Sequence, residues 1–122
     1  MARESDDGRR SIARELKRGT VELMVLHLLA PGEAYGYEIA TKLAGRTGDA
    51  LEIKDGTLYP VLYRLERAGF VAIRWDTPAR GVPRKYYTLT AEGRRELATL
   101  TDEWRTFAAA MDQLLGRPGA SS

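Results

Sequence analysis

Tyrosine and arginine recur at helical spacing between Thr57 and Arg67, in the run TLYPVLYRLER. At about 100° per residue, Tyr59, Pro60, Tyr63 and Arg67 fall on one side of such a helix, with Thr57 and Arg64 on its flank. Phenol hydroxyls and guanidinium groups suit phosphate oxygens and base edges. A merely solvated helix face carries Glu, Lys and Gln and has no need of two tyrosines. Arg64 and Arg67 can read guanine bidentately or neutralise phosphate, and phosphate suits Arg67, which lies nearer the helix end. Lys54, in the turn leading into the helix, adds a further cation. Arg80, Arg84 and Lys85 follow in a Gly/Pro-rich stretch, where they can touch phosphate or enter a minor groove. Tyr35, opening an earlier helix, can place its hydroxyl or the helix N-terminus against phosphate. The chemistry on offer is contact with a nucleic-acid groove.

Other chemistries lack their residues. The 122-residue chain has no cysteine and one histidine, which excludes disulfides, thiol catalysis and a credible zinc site. His27 itself sits in an apolar stretch and reads as a partly buried structural histidine. There is no Gly-rich phosphate loop, nucleophile elbow or carboxylate pair, so neither an enzyme nor a cofactor site is expected. The formal charge is only +2, but its distribution is uneven. From Lys54 to Arg95, nine Lys/Arg stand against four Asp/Glu, and the rest of the chain is net acidic. Positive charge is concentrated where the tyrosines lie. No apolar run approaches the roughly 18 residues that would span a bilayer. The first residues, MARESDDGRRSIARE, contain no apolar signal core, so a cytoplasmic protein without membrane contact is expected.

The flanking sequence supplies a scaffold for these side chains. Leu58, Val61, Leu62 and Leu65 make the opposite, core-facing stripe of the tyrosine helix. With Thr57 as its cap, Pro60 takes the third helical position, where a missing N–H is tolerated. Ala68-Gly69 ends the helix, and Glu66 should pair on its surface. From Phe70 to Asp76 the period becomes two, with Val71, Ile73 and Trp75 pointing one way. Residues 77–83 form a tip and Arg84–Leu89 returns as a second strand, making a hairpin. Upstream, Thr20 can cap a helix that is apolar on nearly every side and therefore central, with Glu22 in its first turn. Pro31-Gly32 stops it, and a second helix runs from about Tyr35 to Arg46. Three helices followed by a basic hairpin spell a winged helix-turn-helix.

A last helix opens at Thr90 and runs from Ala91 to Leu115. Its apolar residues, Leu97, Leu100, Trp104, Phe107, Met111 and Leu114, are spaced alternately by three and four, a heptad seam. So small a domain cannot cover that stripe, and the same helix of a second subunit can, so a homodimer is expected. The fold class is α+β, mostly α. Residues 1–15 read as a charged arm, 16–90 as the winged-helix domain, 91–115 as the dimerisation helix and 116–122 as a tail.

The motifs resemble those of PadR-family transcriptional regulators, over roughly Leu16 to Leu115. They are GTVELMVLHLL, YGYEIA, GTLYPVLYRLERAGFV, PRKYYTLTAEGRREL and EWRTF. The resemblance implies a DNA-binding homodimer that represses a promoter at an inverted-repeat operator in double-stranded DNA. Members commonly answer to phenolic acids or hydrophobic drugs, or have no known effector, so the resemblance leaves room for a small hydrophobic or aromatic effector without requiring one. In drug-responsive members a tryptophan matching Trp104 stacks on flat ligands between subunits. At a seam position an aromatic ring also fills the interface by itself, and packing is the preferred role for Trp104. The charged arm before Arg14 is longer than in the shortest members. A winged helix that binds protein instead of DNA is the rival reading, and the cations of the hairpin argue against it.

Overall fold

In the computed structural model, residues 12–116 are described. Their elements are α1 (Ile12–Leu29), β1 (Ala34–Tyr35), α2 (Gly36–Arg46), α3 (Asp55–Arg67), β2 (Val71–Asp76), β3 (Arg84–Leu89) and α4 (Ala91–Leu115). The core lies where α1, α2 and α3 meet the base of the β2–β3 hairpin. Val25, Leu26 and Leu29 of α1 are buried there with Ile39 of α2 and all four apolar-stripe residues of α3. Burial of such side chains, at roughly 1.5–3 kcal/mol each, is what fixes the tyrosine face of α3 outward. No helix among the described residues is long and apolar enough to cross a membrane.

Two helix starts differ from expectation. α1 begins at Ile12, so Thr20 is no cap; it lies mid-helix and its hydroxyl donates to the Leu16 carbonyl at 2.6 Å. Residues 12–15, assigned to the arm, are helical, while residues 1–11 and 117–122 of the proposed arm and tail lie outside the described residues. α3 begins at Asp55 with Lys54 at the N-cap, so Thr57 is inside the helix and Pro60 lies beyond its first turn. Pro60 cannot bond to the Gly56 carbonyl, and Gly56 itself is an exposed residue.

The end of α3 is built as expected, and tightly. Phe70 N–H donates to the Leu65 carbonyl (2.9 Å) and Gly69 N–H to the Glu66 carbonyl (3.1 Å), the paired bonds of a Schellman motif. That motif needs a left-handed residue, and Gly69 supplies it at φ 83°. Gly69→Ala is expected to lower stability by about 1–2 kcal/mol, the strain of a Cβ in that conformation. Thermal unfolding followed by circular dichroism measures it, and an unchanged Tm would refute this account of the turn.

The two strands of the expected hairpin pair antiparallel, Val71 with Leu89 and Asp76 with Arg84. A third strand was not foreseen. β1 pairs with β3 through Ala34–Tyr87 and Tyr35–Tyr86, giving the antiparallel order β1-β3-β2. Two residues are too few to show a period, and their pairing depends on a strand some fifty positions away.

α4 keeps its expected bounds. Thr90 Oγ1 accepts from Gly93 N–H at 2.9 Å and donates to the Gly69 carbonyl at 2.7 Å, tying the helix start to the end of α3. The heptad seam divides in two. Leu97 and Leu100, read as dimer residues, instead pack against the protein's own core. Their half of α4 runs back along α1, whose apolar surface is wide enough to cover them. Further along, Trp104 (38 % exposed), Phe107 (51 %) and Leu114 (78 %) stand open, with Met111 half-buried.

Candidate nucleic-acid interface

Tyr59 and Tyr63 project from α3 at 45 % and 57 % exposure, with Thr57, Pro60 and Arg67 exposed around them. One turn separates Tyr63 from Arg67, and the Arg67 guanidinium donates to the Tyr63 hydroxyl at 3.2 Å while lying 5.6 Å from its ring centre. The pair holds a cation and a phenol at the tip of one ridge. Tyr59 leans on the start of α2, and this explains the glycine of YGY. A Cβ on Gly36 would lie 2.8 Å from Tyr59 Cζ, so only a bare backbone lets the ring settle there.

The basic residues of the hairpin divide between outward and inward. Arg80 is exposed on the tip, whose turn uses Gly81 at φ 104°. Arg84 is exposed and its guanidinium stacks over the Tyr35 ring at 4.8 Å. Lys85 is half-buried, with its ammonium 3.4 Å from Glu66 Oε1 and 5.5 Å from the Tyr87 ring centre. Expected to be a free phosphate contact, Lys85 is instead engaged inside the protein, where it fastens the hairpin to α3. Glu66, expected to pair along its own helix, pairs across to β3. Burial pushes the Tyr87 phenol above its ordinary pKa, so it remains neutral beside that pair.

Arg64, read as a DNA contact on the flank of the ridge, is exposed and carries an ion pair of its own. Its guanidinium lies 3.4 Å from Glu22 Oε2 of α1, on the flank between the Tyr63–Arg67 pair and α4. Helical geometry placed it on the border between two faces, and the nearest carboxylate, 42 positions away in the chain, decided which one it joins. Lys54 remains exposed at the start of α3.

On the other face of the sheet, Arg74 grips Glu33 through Nε and Nη2 (3.1 and 2.5 Å) and lies over the Tyr86 ring at 4.8 Å. The Arg74 hydrogen bonds hold the Glu33 carboxyl below its usual pKa, against a smaller opposing effect of desolvation. A lowered carboxylate pKa stabilises above its unfolded value and ceases to do so as pH falls through the folded one. Neutral pH is therefore where this brace between the β1 approach and the hairpin acts. Both partners are exposed, so its contribution is small.

Between the hairpin and α3 lies an open cleft of about 400 Å³, lined by Tyr35, Tyr59, Arg84, Lys85 and Trp75 among others. The first four were singled out from sequence; Trp75 was not. Alternation grouped it with Val71 and Ile73, and it does share the side on which Val71 is buried. The hairpin outruns the core, however, and Trp75 is 58 % exposed.

The sequence profile of the transcriptional regulator PadR-like family matches residues 25–99, from the C-terminal part of α1 into α4. The chain belongs to this family. A transcriptional regulator of Mycobacterium tuberculosis is 34 % identical over 103 residues, covering 84 % of this chain and 90 % of that one. The crystal structure of a PadR family regulator from Eggerthella lenta is 36 % identical with a TM-score of 0.73, and the match covers 91 % of each chain. Bacillus subtilis PadR, solved in complex with operator DNA, is 27 % identical with a TM-score of 0.58. That match covers 84 % of this chain but 52 % of the longer Bacillus chain. As a PadR-like transcriptional regulator, the protein has the winged-helix architecture, and its exposed ridge lies on the third helix of that fold.

His27 departs from expectation too. It is exposed, and Arg46 donates to its Nε2 at 3.3 Å. The helix around it is apolar on most sides, but residue 27 falls on its outer side, next to the half-buried Leu23 and Met24. The pair borders a groove of about 390 Å³ that Trp104 closes on the α4 side.

Proposed function

We propose that the protein is a sequence-specific DNA-binding repressor that works as a homodimer. The observation that carries this reading is the ridge of Tyr59, Tyr63 and Arg67, held outward by a fully apolar opposite face and flanked by the Arg80 and Arg84 hairpin. Each protomer would place α3 in a major groove, with its wing on the adjoining backbone. Two such helices related by a dimer axis require an inverted repeat. The operator complex of Bacillus subtilis PadR supports the same assignment by analogy of fold and family.

Dimerisation would use the open half of α4. Trp104, Phe107, Met111 and Leu114 present an apolar strip longer than scattered surface residues require. Trp104 also borders grooves on both of its sides, of about 460 and 390 Å³. A small hydrophobic or aromatic effector seated there would act by favouring one spacing of the two recognition helices. Its differential affinity for the two spacings sets how far occupancy shifts. A regulator of this kind acts on DNA in the cytoplasm.

The test is fluorescence anisotropy with the duplex upstream of the protein's own coding sequence and a scrambled control, across salt concentrations. Six to ten phosphate contacts predict that log affinity falls with log salt at a slope of roughly −5 to −9. Preference for the upstream duplex with such a slope supports the proposal. Absence of binding to either duplex, even at low salt, would turn the reading to a winged helix that docks on protein.

A further inference from the structure

We propose that Trp75 is a contact to the DNA backbone, and that the cleft between the wing and α3 receives a deoxyribose-phosphate unit of one strand. The inference rests on the DNA-binding reading above and adds to it a residue and a site on the wing.

The hairpin shows why Trp75 is available. On the inner face, Val71 pairs with Leu89, Ile73 with Tyr87 and Trp75 with Lys85. Exposure along β2 rises from 3 % at Val71 to 37 % at Ile73 and 58 % at Trp75, as the hairpin leaves the core behind. An indole at the outer end of that series has no core to join. It is nonetheless held in place, because the Lys85 ammonium lies 5.9 Å over its ring while itself tied to Glu66.

The walls of the cleft define what fits. Tyr35, Tyr59 and Trp75 supply aromatic surface, Arg84 supplies positive charge beyond the Lys85–Glu66 pair, and no carboxylate lines it. Glu66, the nearby acid, is already neutralised by Lys85. An occupant should be anionic and carry an apolar face. Deoxyribose-phosphate meets both demands, and the indole brings an apolar ring for the sugar and a single N–H donor for a phosphate oxygen. Stacked bases of a duplex cannot reach such a cleft without being flipped, whereas its backbone can. The cleft also adjoins Tyr59, so a duplex seated on the ridge must pass over it. An apolar segment of a partner protein would leave Arg84 facing an uncharged surface, and is the less complementary occupant.

A backbone contact is blind to sequence. Trp75→Ala should therefore weaken binding to the upstream duplex and to a scrambled duplex by a similar factor, about tenfold. Trp75→Phe should recover part of that loss. A second measurement uses the unsubstituted chain. The protein has two tryptophans, so labelling with 5-fluorotryptophan gives two fluorine resonances, assigned with Trp75→Phe. Duplex DNA should shift the Trp75 resonance and remove its sensitivity to exchange of H2O for D2O, as the ring is covered. If anisotropy reports a bound duplex while the Trp75 resonance stays put and Trp75→Ala binds normally, Trp75 is no contact and the DNA reading stands. If no duplex binds the native protein, both fall together.

Discussion

Replacing Tyr63 and Arg67 together by alanine is expected to weaken binding to operator DNA about a hundredfold while leaving the fold intact. Two anchoring contacts worth about 1–2 kcal/mol each amount to a factor of that size. The fold should not notice. Both side chains are exposed, and the stripe that holds α3, Leu58 to Leu65, lies on the other side. Losing the Arg67 cation should also make the salt slope shallower by about one unit per protomer. Because Arg67 donates to the Tyr63 hydroxyl, the two single substitutions should not add up to the double one. Anisotropy gives the affinity, sedimentation the oligomeric state and thermal melting the stability. A double variant that holds the operator within twofold of the native protein would remove α3 as the recognition helix.

The second large effect is on stability, and its sign runs against a common expectation. Glycine inside a helix usually costs about 1 kcal/mol relative to alanine, so Gly93→Ala in the first turn of α4 should help on propensity alone. Here the opposite is expected. A Cβ on Gly93 would overlap the Phe70 carbonyl oxygen and approach Leu89 Cδ2 to 3.2 Å. The obstacle is backbone, and that carbonyl already accepts from Thr90 N–H at 3.1 Å. To make room, α4 must lift away from the end of α3, straining the Thr90 cap and its bonds to Gly69 and Gly93. Overpacking costs about 1–3 kcal/mol, and each weakened hydrogen bond about 1 kcal/mol. The net loss should be about 2–3 kcal/mol, a Tm lower by roughly 10–20 °C for a domain of this size. A melting temperature equal to or above that of the native chain would show that the junction yields more easily than its geometry implies. DNA affinity should fall only as far as the unfolded fraction rises, which separates this variant from the tyrosine-ridge one.

The two experiments address different links in one chain of cause. Gly93 lets the wing and α4 close on α3; the closed junction sets where Tyr59 and Tyr63 stand relative to Arg84. Gly36 plays a similar part on the other side, where a bare backbone admits the Tyr59 ring. Glycines in YGY and TAEG thus position the candidate interface without touching DNA themselves.

Much of this was legible in the sequence because it depends on neighbours along the chain. The buried and exposed faces of α3 follow from a 3.6-residue period, and β3 and α4 have the bounds their composition implies. Thr90 caps α4 as its place before an apolar-periodic run suggests. The family motifs are likewise local strings. What sequence alone could not decide is how the elements meet. Lys85 and Arg64 look like free cations in the chain, yet Glu66 and Glu22, 19 and 42 positions away, take them up. Salt bridges form through space, and no periodicity records them. The two-residue β1 exists only because β3 passes beside it. The regular seam of α4 was correctly read as apolar, but tertiary packing gave Leu97 and Leu100 to the protein's own core and left Trp104 and Phe107 outside. Trp75 shows the same division: alternation fixed its side of the strand, and the reach of the core, set by three helices elsewhere, decided that this side faces an open cleft.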